Sequence, residues 1–323
     1  MLEKESKNRF RDLSLQEIDE LVRSLNSLSE GELGISMLVA CGERAVPALR
    51  ECLLYGRPSG VFVPRQRAVR ALAELGAKEI LLEYLAAERS IRDPVVAHGE
   101  EAVKNTAARA LAAWRTDEVF QALLDVLRKH QFTGVIEAIG KFRRVEALPE
   151  LVHALEDDFC RTFAEDALLK IGPAARAALI EAVRTPDPSG NNETASSRQR
   201  RASALRLIER LEPTPDDWPR LAALLYDPDA NVAARTGILA LKIAAESEKV
   251  LAVRRLIGAL EKADWFLQSE IENSLEEHFA IARPLIRQEI GRRQTNTFGT
   301  RNTDNVLRLL RGIVDRNAQR KAM

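Results

Sequence analysis

The chain has 323 residues, with 48 Lys plus Arg against 48 Asp plus Glu and a formal net charge of zero. That balance excludes a partner selected by bulk charge, such as a nucleic-acid coat or a polybasic membrane surface, and 46% hydrophobic with 30% charged residues excludes disorder throughout. The length exceeds the roughly 250 to 300 residues that one compact core accommodates, so several domains or a stack of repeats is expected. Cys41, Cys52 and Cys160 form no C-x-x-C pair, which excludes a disulfide framework or thiolate zinc site and fits a reducing cytoplasm. The first ten residues are charged where a signal peptide is apolar, and no stretch approaches 18 uninterrupted apolar residues. A cytoplasmic chain without a membrane partner is expected.

Ser14-Leu15-Gln16-Glu17 is a capping-box pattern, and Ile18, Leu21, Val22, Leu25 and Leu28 follow at helical spacing. Residues 1–30 therefore read as a helix that closes one end of an array. A first segment type then recurs as Ala45-Val46-Pro47-Ala48-Leu49 and Ala147-Leu148-Pro149-Glu150-Leu151, with related copies at Trp218-Pro219 and Arg283-Pro284. Proline in a first turn costs no hydrogen bond and presets φ, so these copies mark helix starts. A second type runs Gln66 to Gly76 and Phe163 to Gly172, where Ala68, Ala71, Ala164 and Ala167 permit close helix approach and the glycines suit left-handed C-caps. Ends near Gly42, Gly76, Arg115, Phe142, Gly172, Leu211, Ala244 and Phe279 give a period centred in the mid-thirties.

A two-helix unit of that length, with Pro in its first helix and Ala in its second, resembles the HEAT repeat, particularly its bacterial phycobilin-lyase-like variety. Asp227-Pro228-Asp229-Ala230-Asn231-Val232, a tight turn into a second helix, adds to the likeness. The resemblance covers roughly residues 30 to 290. It implies an all-α fold, a right-handed α-α superhelix of about eight helix pairs spanning residues 31–294, and little about chemistry, since such arrays serve as scaffolds, chromophore lyases, hydroxylases and DNA glycosylases.

Three loops interrupt the rhythm: Gly56 to Pro64, Ser90 to His98, and Thr185 to Ser197, the last with the composition of a mobile linker or insertion. Residues 295–323 read as a loop followed by a basic helix with Val306, Leu307, Leu310, Ile313 and Val314 on one face. That helix is expected to cap the array.

No catalytic residue emerges. HEAT-fold deoxyhypusine hydroxylases hold di-iron with His-Glu dipeptides, and none of His98, His130, His153 or His278 is followed by Glu. No phosphate loop, nucleophile elbow or i, i+4 histidine pair occurs, so neither metal nor cofactor is expected. Trp114, Trp218 and Trp265 fall at helix ends and read as packing or repeat-edge residues.

Phasing the second helices on Ala71-Leu72, Ala110-Leu111, Ala138-Ile139, Ala167-Leu168, Leu207-Ile208, Leu239-Ala240 and Ser274-Leu275 puts Arg70, Arg109, Glu137, Asp166, Arg206, Ile238 and Asn273 in one column. A nucleic-acid groove calls for a basic column, and this one changes sign. The expectation is a noncatalytic scaffold that grips a protein or peptide partner through Arg70, Arg109, Glu137, Asp166 and Arg206. A second expectation, from residues 198–210 with five Arg against one Glu, is nucleic-acid binding with Arg198, Arg200, Arg201 and Arg206 on phosphates.

Overall fold

The computed structural model describes residues 13–56, 61–189, 192–296 and 305–322. Among these the fold is all-α, of HEAT-like antiparallel helix pairs, divided into two compact units, Met1–Ile171 and Gly172–Met323. The first unit holds α1 (Leu15–Ser24), α2 (Gly31–Ala40), α3 (Val46–Leu54), α4 (Val63–Glu74), α5 (Lys78–Ala86), α6 (Pro94–Leu111), α7 (Asp117–Lys129), α8 (Thr133–Phe142), α9 (Leu148–His153) and α10 (Arg161–Ile171). The second holds α11 (Arg176–Arg184), α12 (Ala195–Arg210), α13 (Trp218–Leu221), α14 (Ala230–Ile243), α15 (Glu246–Ala259), α16 (Trp265–Glu277), α17 (Phe279–Asn296) and α18 (Asn305–Ala322).

The local signals act as the chemistry requires. Ser14 and Glu17 form the reciprocal capping box of α1. Pro47, Pro149 and Pro219 sit in the first turns of α3, α9 and α13. Asp93, Thr116, Asp229 and Asp264 accept backbone N–H groups at the starts of α6, α7, α14 and α16. Gly76 and Gly172 close α4 and α10 at φ of +74° and +83°, where a Cβ would be strained. Pro284 departs from the expected pattern. The chain turns at His278 and re-enters a helix at Phe279, so Pro284 falls inside α17 rather than at its start. Thr295 and Asn296, expected in a loop, continue α17, and the rest of that expected loop lies outside the described residues.

The expected linker at 185–197 is a hairpin in the second unit, with Pro188–Ser189 antiparallel to Asn192–Glu193. The boundary between the units falls instead at Ile171/Gly172. Residues 57–60 of the first expected loop lie outside the described residues. Helix α18 packs on α16 and α17 through buried Val306, Leu310 and Ile313 and so closes the second unit's last pair.

Second helices stack on one another: α4 on α6, α6 on α8 and α8 on α10 in the first unit, α12 on α14 and α14 on α16 in the second. Ala68, Ala71, Ala164 and Ala167 are buried at these contacts. At Gly134 a Cβ would lie 2.5 Å from the Asn105 carbonyl oxygen, and the Gly134 N–H donates to Asn105 Oδ1 at 2.6 Å. Each buried leucine in these layers contributes roughly 1.5–3 kcal/mol of transfer free energy.

A second column lies six residues before the Ala-Leu phasing pairs, and five of its seven members fasten a pair internally. Its members in the first unit are Arg65, Lys104, Phe132 and Arg161, and in the second Arg201, Ala233 and Gln268. Arg65 donates to Leu53 O at 2.9 Å, Lys104 to Ala87 O at 2.7 Å, Arg161 to Leu155 O at 3.0 Å, Arg201 to Val183 O at 2.6 Å and Gln268 to Leu260 O at 2.9 Å. The acceptors sit at or near the ends of first helices, where carbonyls lack intrahelical partners and carry the negative end of the dipole. Arg201 also binds Glu193 Oε2 at 2.7 Å and the Asp227 carboxylate. Arg201→Ala leaves both acids without their buried partner and is expected to lower stability by about 3–5 kcal/mol, read by urea unfolding. A loss no larger than that of the exposed Arg220→Ala would show that this staple carries no stability.

Candidate functional site: a polar cleft on helix α6

The expected recognition column is occupied by the fold's own ion pairs. In the first unit Arg70 Nη1 lies 2.9 Å from Glu32, Arg109 Nε 2.7 Å from Glu137, and Asp166 2.5 Å from Lys170 Nζ. Arg109 and Glu137 thus join α6 to α8, and the change of sign along the wall is what lets adjacent helices pair. In the second unit Arg206 donates to Ser203 Oγ at 2.9 Å, while Lys242 pairs with Glu209 at 2.7 Å and buried Arg235 with Glu270 at 2.8 Å.

The phosphate-binding expectation is corrected at two residues. Arg200 is turned inward to Asp187 Oδ2 at 2.7 Å and Thr185 O at 2.6 Å, and Arg201 is only 2% exposed. Both guanidinium groups are committed to the 185–193 hairpin, which removes them from any backbone-tracking surface. Arg198 keeps more exposure and bonds Glu193 O at 2.8 Å. Of the tryptophans, Trp218 is buried and donates to Glu248 at 2.8 Å, whereas Trp265 is exposed edge-on to Phe266.

The notable concavity is elsewhere, in the first unit. A cleft of about 920 Å³ lies between α6, the 87–93 turn and the end of α7, lined by Arg89, Ile91, Pro94, His98, Glu101, Lys104, Lys129 and Phe132 among others. Positions 97, 101 and 104 recur at helical spacing on one face of α6. Beneath it runs a buried polar chain. Arg65 Nη1 meets Glu100 Oε2 at 2.5 Å, Tyr84 OH donates to Glu100 Oε1 at 2.7 Å, and Arg89 Nε stands 3.8 Å from the same oxygen. The Arg65 guanidinium also lies 5.2 Å from the Tyr84 ring centroid.

Burial works to raise the Glu100 carboxyl, but hydrogen bonds from Arg65 and Tyr84 and the charges of Arg65 and Arg89 outweigh it and hold it below the usual range. Burial pushes the Tyr84 phenol well up. Lys104, 6% exposed, is pushed below the ordinary lysine value, first by burial and further by Arg89 and Lys129 against the pull of Glu100 and Glu88. At the rim Lys129 Nζ meets Glu88 at 2.5 Å, and His130 stacks on Phe132 with ring centroids 5.1 Å apart. Cys160 lies nearby in the fold, its thiol bonded to Gln131 O at 3.0 Å and pushed up to about 12 by burial and by Asp157. Among the described residues no group of three or more His, Cys, Asp or Glu is placed to hold a metal ion.

No family model matches the chain, and no curated protein does. Among solved structures it is similar to human deoxyhypusine hydroxylase in complex with glycerol, at 16% identity and a TM-score of 0.29, over 83% of this chain and 96% of that one. An overlap that loose says nothing of this chain's chemistry. Nothing in these comparisons supports the expected noncatalytic scaffold. That expectation is withdrawn, since the charges meant to read a partner also bond within the chain.

The cleft carries no sequence motif and lies off the exposed column, so neither pattern reveals it. The signal was present six residues earlier: Arg65 gives way to Lys104 and then to Phe132, with a single cation of short reach followed by none.

Two outcomes test this electrostatic account. A double-mutant cycle on Arg109 and Glu137, both partly exposed, should give a coupling of about 0.2–1 kcal/mol, and zero coupling would remove the ladder from the energetics. Because the folded pKa of Glu100 is depressed, its contribution is full above the unfolded carboxylate value, about 4.3, and is lost as pH falls through the folded value. In Glu100→Gln, stability at neutral pH should drop and its decline with acid should flatten; an unchanged acid limb in urea titrations would contradict the assignment.

Proposed function

We propose that the chain binds a small organic anion with an apolar body in the cleft on α6. The observation that carries this reading is the pairing of a cationic floor, Lys104 and Arg89, with an apolar wall of Ile91, Pro94, Ala97 and Phe132 in a concavity of about 920 Å³, a size typical of ligand sites. Of the lining acids, Glu100 is already taken by Arg65 and Tyr84 and Glu88 by Lys129, so Lys104 is left for a carboxylate or phosphate. Among the described residues no carboxylate lies within ion-pair distance of Lys104 Nζ. Three unpaired thiols and the absence of any described helix long and apolar enough to cross a membrane fit action in the cytoplasm. The likeness to phycobilin-lyase-like HEAT proteins makes an open-chain tetrapyrrole with propionate arms one member of the class to try.

Fluorescence titration with 8-anilinonaphthalene-1-sulfonate, followed by displacement with aryl carboxylates, phosphates and a bilin, tests the reading. Lys104→Gln should weaken the displaceable component about tenfold, near 1.4 kcal/mol, with affinity falling as salt rises. Equal affinity for wild type and variant, or displacement by uncharged analogues as readily as by acids, would overturn it.

A further inference from the structure

Lys104 occupies a position whose other donors in the column are the guanidinium groups of Arg65, Arg161 and Arg201 and the amide of Gln268. Arg65 and Arg201 spread their donors over a helix-end carbonyl and the carboxylate beyond it. An ammonium on a four-carbon stem is a point donor, and Lys104 Nζ bonds Ala87 O alone, at 2.7 Å. The groups facing it are Glu100 and Glu101 from its own helix, Glu88 and Arg89 from the preceding turn, and Lys129 and His130 from the end of α7. Glu100 is bonded to Arg65 and Tyr84, and Glu88 to Lys129. A buried ammonium with one carbonyl for company loses more on leaving water than it regains. The amine form keeps the bond to Ala87 O with one hydrogen and presents its lone pair where the side chain lines the open cleft.

Resting on the anion-binding reading above, we propose that Lys104 is a nucleophilic amine that forms a reversible imine with an aldehyde or α-keto acid held in the cleft. The step balances without an oxidant. The Nζ lone pair forms the C–N bond, the carbonyl π pair moves to oxygen, and both amine hydrogens leave with that oxygen as water, giving C=N. The acid group of the same molecule lies with Arg89, and its apolar portion with Phe132 and Ile91. Burial lowers the Lys104 pKa, so at a given pH a larger fraction of this ammonium has given up its proton than in an ordinary lysine.

The full-length protein is incubated at neutral pH with glyoxylate, and separately with pyridoxal 5′-phosphate, then reduced with borohydride, which turns any imine into a stable secondary amine. Intact-mass measurement and peptide mapping locate the adduct. The expected result is a single adduct on Lys104, formed several-fold faster than on any other lysine, because the free amine is the nucleophile. It is absent from Lys104→Arg, whose melting by circular dichroism reports folding. A carbonyl-free acid that displaces the naphthalene sulfonate should also slow trapping. Adducts spread evenly over the 11 lysines, or found first on Lys129, would overturn the proposal. If the naphthalene sulfonate is displaced normally by acids while Lys104 is never trapped, the imine falls and the anion site stands. If neither occurs, both fall.

Discussion

A helix pair in this fold is held shut where the first helix stops. The last carbonyls of a helix have no amide to accept from, and they concentrate negative charge just where the chain turns back. In this protein the second helix answers with a donor six residues before its Ala-Leu contact. Arg65 and Arg161 do so in the first unit, and Arg201 and Gln268 in the second. Arg67 extends the principle to the amino-terminal pair by reaching Leu25 O and Ser27 O, each at 2.7 Å. A donor of this kind fixes the register of two antiparallel helices, because a shift of one residue would turn it away from the carbonyl. At Arg65 and Arg201 the guanidinium has hydrogens left over, and these take up a carboxylate of the following pair, Glu100 and Asp227, whereas Arg161 turns to Asp158 beside it. One side chain thereby sets both the closure of a pair and its attachment to the next.

The cleft on α6 follows from a local weakening of that scheme. Lys104 performs the closure and has no reach left for the attachment, and at the next position Phe132 supplies no donor. The cleft is left open there, walled by the Phe132 ring. Gln131 Oε1, next to that ring, is buried without a partner, and so is Arg65 Nε at the other side of the polar chain. Unsatisfied buried groups cost free energy.

The fold was legible because it is made of local signals that repeat. Capping residues, first-turn prolines and C-terminal glycines act within four or five residues of themselves, and Ser14, Pro47, Pro149, Gly76 and Gly172 did what their chemistry dictates. Pro284 misled for the same reason: the break at His278 moved the helix start upstream, and nothing local to Pro284 records that. Side-chain partners across the stack were not legible. Arg200 and Arg201 read as solvent-facing in an Arg-rich segment, because the acids that bury them, Asp187, Glu193 and Asp227, lie in turns on either side. The hairpin that carries two of those acids has the composition of a linker. Its order comes from tertiary ion pairs, which composition does not encode.

The charge column shows how far a sign pattern constrains function. Alternation of Arg70, Arg109, Glu137 and Asp166 is compatible with a partner of opposite register, and equally with neighbouring helices that neutralise each other. A pair such as Arg109 and Glu137, on stacked second helices, is formed before any partner arrives, so a partner must break it to use either charge. Partly exposed pairs are individually weak, and the cost of breaking one is small, but no net field is left to guide the partner in. The formal neutrality of the chain is thus reproduced pair by pair along the helices. A buried cation without a carboxylate is conspicuous against that background, and Lys104 is placed at the floor of the cleft where a ligand can supply what the fold withholds.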